Sequence, residues 1–383
     1  MAEWISASAM LHRSDSRSSS VNAGQRRSSD PPPPPTEGKI VKVNGNSSDN
    51  EAVAKAADPE SGLRPGSVRR TSSLQSLWSL GNEQIVTIVG RARDVKQPPD
   101  QQAAIVAEDH LEAKLGLDGR LVSLGGSRCQ LQLGGFAGLK PGGEMRKAMS
   151  SVLSDEAMNA TCLHRLLDDL AGAAFMAFAA WHGWEGGLNS YVERTGMPSP
   201  ADRDVTDVCI SYAPGSPSIR ADGRGREDIA RQPEGPPAAA FTDTQAFHAL
   251  TKHDGPDEWR LRRTDVWRDG NALFVDAWFQ DSCAVFGNAD KRRIFHEYGL
   301  LAKVDAEALT LESVDVTPHV LPYLTCEAAP ATAAMLLGHH VAELRKQVPA
   351  QLRGPSGCTH LNDMLRSLLD VVSLARQVRG RIS

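Results

Sequence analysis

Gly357-Cys358-Thr359-His360-Leu361 opens the last long amphipathic run of the chain, and Thr161-Cys162-Leu163-His164 opens an earlier one. A thiol and an imidazole two residues apart therefore stand twice at the mouth of a helix. Working outward from the two motifs exposes further matches in the same order. Glu144-Met145-Arg146-Lys147-Ala148-Met149 precedes the first motif, and Glu343-Leu344-Arg345-Lys346-Gln347-Val348 precedes the second. Upstream lie Cys129 and Cys326, then Asp94 and Asp281 at the end of a strand pair, then Arg69-Arg70-Thr71 and Arg262-Arg263-Thr264. Collinear self-similarity of this kind marks an internal repeat, and it is read before other fold signals.

Each half runs strands first and helices second. Ile85 to Val95 is rich in β-branched residues and then alternates, and Ala103 to Ala107 and Leu121 to Leu124 extend the strand pattern. Helical spacing follows over Gly143 to Leu153 and Cys162 to Trp181. In the second half, Arg262 to Trp267, a turn at Asp269-Gly270-Asn271 and Ala272 to Gln280 form a hairpin signal, with further strands at Tyr298 to Val304 and Leu309 to Val316. Helices follow at Ala331 to Leu337, Val341 to Val348 and Thr359 to Val378; the last carries a wide apolar face through Leu361, Met364, Leu365, Leu368 and Val372.

The expected fold class is α+β: two tandem repeats, each an antiparallel β-meander followed by two or three helices, after a disordered N-terminal tail. Residues 1–68 form that tail, because Ser18-Ser19-Ser20, the run Pro31 to Pro35 and the Asn/Ser-rich stretch Asn44 to Asn50 bury too little apolar surface to offset chain entropy. Copy 1 spans 69–195, a proline-broken linker 196–258 with a short strand at Val208-Cys209-Ile210, and copy 2 spans 259–383. The two copies are expected to pack on each other.

Net charge is −5 and the sequence pI about 6.1, with no block of like charge, which argues against a nucleic-acid partner. No apolar run approaches the length of a membrane span and no leader pattern opens the chain, so a soluble, cytoplasmic protein is expected. Its six cysteines would then be reduced and available as ligands, nucleophiles or core residues.

Arg262-Arg263-Thr264, Asp281, Cys326 and above all Gly357-Cys358-Thr359-His360-Leu361 followed by Asn362-Asp363-Met364-Leu365 resemble a bacterial domain-of-unknown-function family, DUF 2889. The resemblance covers 259–379 and reaches 69–182 by way of the repeat. Copy 1 departs from the pattern where Ala160-Thr161 replaces a glycine before Cys162 and Arg165 follows His164; copy 2 has Asp281-Ser282-Cys283 where copy 1 has Asp94-Val95-Lys96. The family name carries no activity. It implies boundaries and site residues only.

Each half offers one set of four ligand types that zinc accepts tetrahedrally: Asp94, Cys129, Cys162 and His164, and Asp281, Cys326, Cys358 and His360. Zinc motifs usually hold cysteines in closer pairs, and an iron–sulfur scaffold with strands ahead of helices is a looser analogy. Positions i and i+2 of a helix point about 200° apart, so Cys358 and His360 converge only if the cysteine lies in the capping loop. There the helix dipole would favour its thiolate, which opens a reading as a thiol-dependent enzyme on Cys358 and His360 with aspartate as orienter. No nucleophile elbow or phosphate loop accompanies the motif. Buried cysteine is also a small hydrophobe, and histidine at a helix start often serves only as a cap. A non-catalytic ligand-binding or interaction module therefore comes first, a zinc or iron–sulfur type metal module second and the thiol enzyme third. The expected partner is a protein, a metal or a small ligand, not nucleic acid or membrane.

Overall fold

The structure, a computed structural model, describes residues 62–226, 231–237 and 246–379. Apart from 62–68, the expected tail lies outside the described residues. Among the described residues the first strand begins at Ser67, within the stretch assigned to that tail.

One antiparallel sheet holds two four-stranded meanders. The first is β1 (Ser67–Trp78), β2 (Ile85–Gln97), β3 (Ala104–Gly116) and β4 (Leu121–Gly126). After the two-residue β5 (Glu234–Gly235), the second is β6 (Asp257–Asp269), β7 (Ala272–Val285), β8 (Asn288–Asp305) and β9 (Leu311–Val320). The order is β4-β3-β2-β1-β6-β7-β8, with β5 and β9 on the outer edge of β8. The meanders join where β1 pairs antiparallel with β6, Ser72 opposite Arg262.

The sheet shows why one strand escaped the sequence pattern. β2 alternates half-buried and buried positions as a period-two strand should. β1, Ser-Val-Arg-Arg-Thr-Ser-Ser-Leu-Gln-Ser-Leu-Trp, is polar along most of its length yet buried on both faces. On one face Arg70 donates to Ala160 O and Trp78 Nε1 to Ala177 O. On the other Thr71 and Ser73 bond the two ring nitrogens of His248, and Gln75 pairs with the backbone of Thr251. The linker thus supplies the lid of the central strand, and its buried hydroxyls and amides are tolerated because they are bonded.

Helices α1 (Gln130–Gly134), α2 (Gly143–Val152), α3 (Ser154–Met158), α4 (Cys162–Met176) and α5 (Gly187–Thr195) follow the first meander; α6 (Leu344–Gln351), α7 (Thr359–Ser367) and α8 (Val371–Arg379) follow the second. The run expected from Thr359 to Val378 is broken by a 3₁₀ turn at Leu368–Asp370, and the run from Cys162 to Trp181 becomes 3₁₀ from Ala177. The helix expected over Ala331 to Leu337 is a 3₁₀ run, Pro330–Leu336. The strand expected at Val208 to Ile210 is a correction: Ile210–Tyr212 is a 3₁₀ turn, pinned by the Ile210 N–H donating to Gly357 O at 2.8 Å.

The apolar core has two main parts, one around Leu74, Ile88, Leu111, Leu166 and Trp181, the other around Val275, Phe279, Tyr298, Leu361 and Leu374. Between them runs a buried polar seam. Arg262 from β6 is held by Asp169 of α4 at 2.6 and 3.0 Å, Arg70 from β1 reaches Asp370 at 3.0 Å, and Arg366 of α7 bonds Asp168 of α4. Removing each charge from water costs several kcal/mol, so such a seam persists only when its members are paired.

The same irregularities occur in both meanders. The register shifts after Asp94 and after Asp281, and again after Lys114 and after Lys303. Gly138 and Gly338, both at positive φ, donate to Leu121 O and Leu311 O at 2.7 and 2.9 Å. α2 and α6 each close with a backbone N–H, Leu153 onto Met149 O and Leu352 onto Val348 O.

Candidate metal centre

Arg70 lies opposite Asp94, and Arg260 lies opposite Asp281. By sheet position Arg260, not a member of Arg262-Arg263-Thr264, is therefore the residue that answers Arg70. The register shift that follows each aspartate leaves an extra residue on the partner strand, Val106 on β3 and Phe295 on β8, which bends that strand, and both carboxylates are fully buried.

The Cys-x-His motifs reach these aspartates differently because the helices start one residue out of phase. In the first half Thr161 is the N-cap, its Oγ1 accepting the His164 N–H at 3.1 Å, and Cys162 is already helical. The Cys162 thiol donates to Asp94 at 3.5 Å. In the second half Cys358 itself is the cap, with its carbonyl taking the Asn362 N–H. One residue turns a helix by about 100°, so His360 faces the strand instead, with Nε2 3.5 Å from Asp281 Oδ2.

A third residue completes the group. His296, on β8 directly opposite Asp281, stacks on His360 with ring centroids 3.5 Å apart. One ligand atom each from Asp281, His296 and His360 lies within 4.8 Å of the other two, and all three residues are buried. At the matching place in the first meander, opposite Asp94, stands Ala107.

Burial and the Arg260 guanidinium lower His296 to about 3, and burial, His296 and Arg260 hold His360 well below its ordinary range. Both imidazoles are neutral near neutral pH. Burial pushes Asp281 up to about 7 against the pull of Arg260 and Arg262, with Asp363 and Asp169 adding to the rise. Burial, with Asp281 next, also raises Glu258 well above the carboxylate range. Three atoms here have no hydrogen-bond partner among the described residues: His296 Nδ1, Glu258 Oε1 and Arg260 Nε. Two neutral imidazoles thus stand beside two carboxylates whose charge burial opposes.

The other expected ligands lie elsewhere. Cys358 accepts from the Tyr298 hydroxyl at 3.4 Å, and Cys326 bonds Ser211 at 2.8 Å. Burial raises both thiols, Cys326 to about 11. Cys129 caps α1 in a left-handed conformation and approaches Glu156 at 3.8 Å. His164 is fully buried with neither ring nitrogen bonded among the described residues, and burial lowers it to about 3. Thus Asp281 and His360 come together from the second expected set, Asp94 and Cys162 from the first. His296 was missed because nothing in its own neighbourhood marks it; the signal lies in strand register. A surface concavity of about 730 Å³ lined by Asp202, Arg220 and Asp222 shares no residue with the cluster. No helix among the described residues is long and apolar enough to cross a membrane.

A family described as "Protein of unknown function (DUF2889)" matches residues 259–373, from β6 into α8. The match contains all three residues of the cluster. No curated protein matches the chain. A solved structure titled "Crystal structure of lipopolysaccharide binding protein" aligns over 67% of this chain and 83% of that one at 10% identity, with a TM-score of 0.09, which carries no argument.

Proposed function

We propose that the chain is a duplicated α+β module that binds one divalent ion of the zinc type in its second half, at Asp281, His296 and His360. Duplication is supported by the paired bulges, the paired glycine turns and the arginine opposite each aspartate. The metal reading is carried by one observation: two neutral imidazoles and a carboxylate gathered within 4.8 Å in the interior. Borderline first-row ions take such a set, and the imidazoles need shed no proton to bind.

The ligand spacing is close to what the ion needs. Bonds of about 2 Å place tetrahedral ligand atoms about 3.3 Å apart. His360 Nε2 and Asp281 Oδ2, at 3.5 Å, nearly meet that, and the ligand atom of His296 lies within 4.8 Å of both. Binding rather than turnover is the role this geometry favours, since the ligands are buried. The thiol chemistry weighed for Cys358 loses support where burial raises the thiol, a rise that outweighs the downward pull of nearby backbone N–H groups and of the Tyr298 hydroxyl donating to it. Six unpaired cysteines suit a reducing cytoplasm.

The full chain loaded with zinc and freed of excess should carry about one ion per molecule. His296→Ala and His360→Ala should each lose it, whereas folded Cys326→Ser and Cys358→Ser should keep it. Zinc retained by His296→Ala, or lost from a folded Cys358→Ser, would sink the assignment.

A further inference from the structure

Arg260 stands between this cluster and the first half. Its Nη1 lies 3.3 Å from each oxygen of Asp281, and its Nη2 donates to Asp363 of α7 at 2.6 Å. Its Nε lies 3.9 Å from Asp169 of α4 and has no hydrogen-bond partner among the described residues. α4 approaches so closely because position 172 is glycine: a Cβ there would meet Arg260 Cζ at 2.5 Å. Glu258, two residues along the same strand, is fully buried with Oε1 unpartnered. Buried polar groups are normally satisfied, and several orphans around one guanidinium mark an arrangement with a second position available to it.

We infer that ion occupancy at Asp281 and the docking of α4 on β6 are coupled through Arg260, so that the first half acts on the metal centre of the second. The inference rests on the metal reading above. A dication held by Asp281 repels a guanidinium at this range, the more strongly for being out of water. Arg260 has an anionic acceptor to move toward in Asp169, whose carboxylate lies 3.9 Å from Nε, and a further acceptor oxygen in Glu258 beside it. Closing Nε onto Asp169 ties β6 to α4 more firmly. In the opposite direction, any change that pushes the guanidinium off α4 returns it to Asp281, where it competes with the ion. Coupling of this kind is reciprocal: what the ion does to α4, α4 does to the ion.

Hydrogen exchange on the full chain, with and without saturating zinc, tests this directly. Zinc should slow the amides of α4 as well as those of β7, β8 and α7, and leave α5 unchanged. Gly172→Ala supplies the second arm. Alanine favours the helix, so α4 should form, but its methyl group displaces Arg260 toward Asp281. Zinc affinity should then fall about tenfold, within the usual span of coupling between sites. Wild-type protein that binds zinc with no response in α4, together with Gly172→Ala binding as tightly as wild type, overturns the coupling and leaves the metal reading standing. Wild-type protein that binds no zinc takes down both. If Gly172→Ala does not fold, the exchange result on the native chain decides.

Discussion

Asp94 and Asp281 hold the same place in two meanders and meet opposite treatment. Asp94 takes two short bonds from Arg70, at 2.7 and 2.8 Å, and a third from Gln377 at 2.7 Å. Asp281 has its arginine at 3.3 Å from both oxygens, because Arg260 gives its shortest bond to Asp363. Opposite Asp94 stands Ala107; opposite Asp281 stands His296. One frame is closed as an ion pair; in the other the aspartate is held loosely beside two imidazoles, the group on which the proposed metal site rests. Where the opposing arginine gives its best bond thus decides whether a buried aspartate is closed off or left open to another partner.

The largest expected effect tests that difference in stability. Arg70→Ala leaves Asp94 and Asp370 buried without their cation and should cost about 3–5 kcal/mol. Arg260→Ala should cost clearly less, because Asp281 and Glu258 are already poised to hold protons and can neutralise themselves. Denaturant unfolding of the two variants at neutral pH measures both. Equal losses would erase the distinction between an ion pair and a ligand set.

A second, smaller effect appears in pH dependence. Asp281 is raised from 3.8 to about 7 on folding, so the folded state holds its proton more tightly than the unfolded chain. Stability from this group is present below about pH 4 and is lost as pH rises toward 7. At 1.36 kcal/mol per pH unit, the loss is on the order of 4 kcal/mol at most. Buried imidazoles work in the other direction: His164, His248 and His296, each lowered to about 3, destabilise the fold as pH falls below 6.5. Wild type alone therefore shows a blend, and the comparison with Asp281→Asn isolates the carboxyl. Relative to that variant, wild type should lose stability steadily from pH 4.5 to 7. A flat difference would mean that folding does not raise the proton affinity of Asp281.

The repeated order of strands and helices was legible because apolar spacing records which face is buried; Met145 and Met149 of α2, like Leu344 and Val348 of α6, are buried as their spacing implies. β1 was not legible, since a strand covered on both faces by polar partners has no alternation to read. The pairing of Cys358 with His360 was read from proximity in the chain, but the helix phase set by the N-cap sends one to Tyr298 and the other to Asp281. His296 depends on register across a hairpin and on the bulge after Asp281, neither of which leaves a local mark in sequence.

The smallest effect is the most pointed, because it tries to give the first half what it lacks. Ala107→His places an imidazole opposite Asp94, beside the Cys162 thiol, in the position His296 holds opposite Asp281. Ala107 is only half-buried and packs at the margin of its core, so stability should change by no more than about 1 kcal/mol. A second zinc should bind, but far more weakly than the first, because Arg70 holds Asp94 through two short bonds that an ion must break. Titration with a competing chelator would resolve a tight and a weak site. Adding Arg70→Lys, which keeps the charge but gives up the two-pronged grip on the carboxylate, should tighten the weak site without altering the strong one. If Ala107→His alone bound zinc as tightly as the second half does, the missing imidazole would be the whole difference between the halves; if the added Arg70→Lys left the weak site unchanged, the arginine would have no part in closing it.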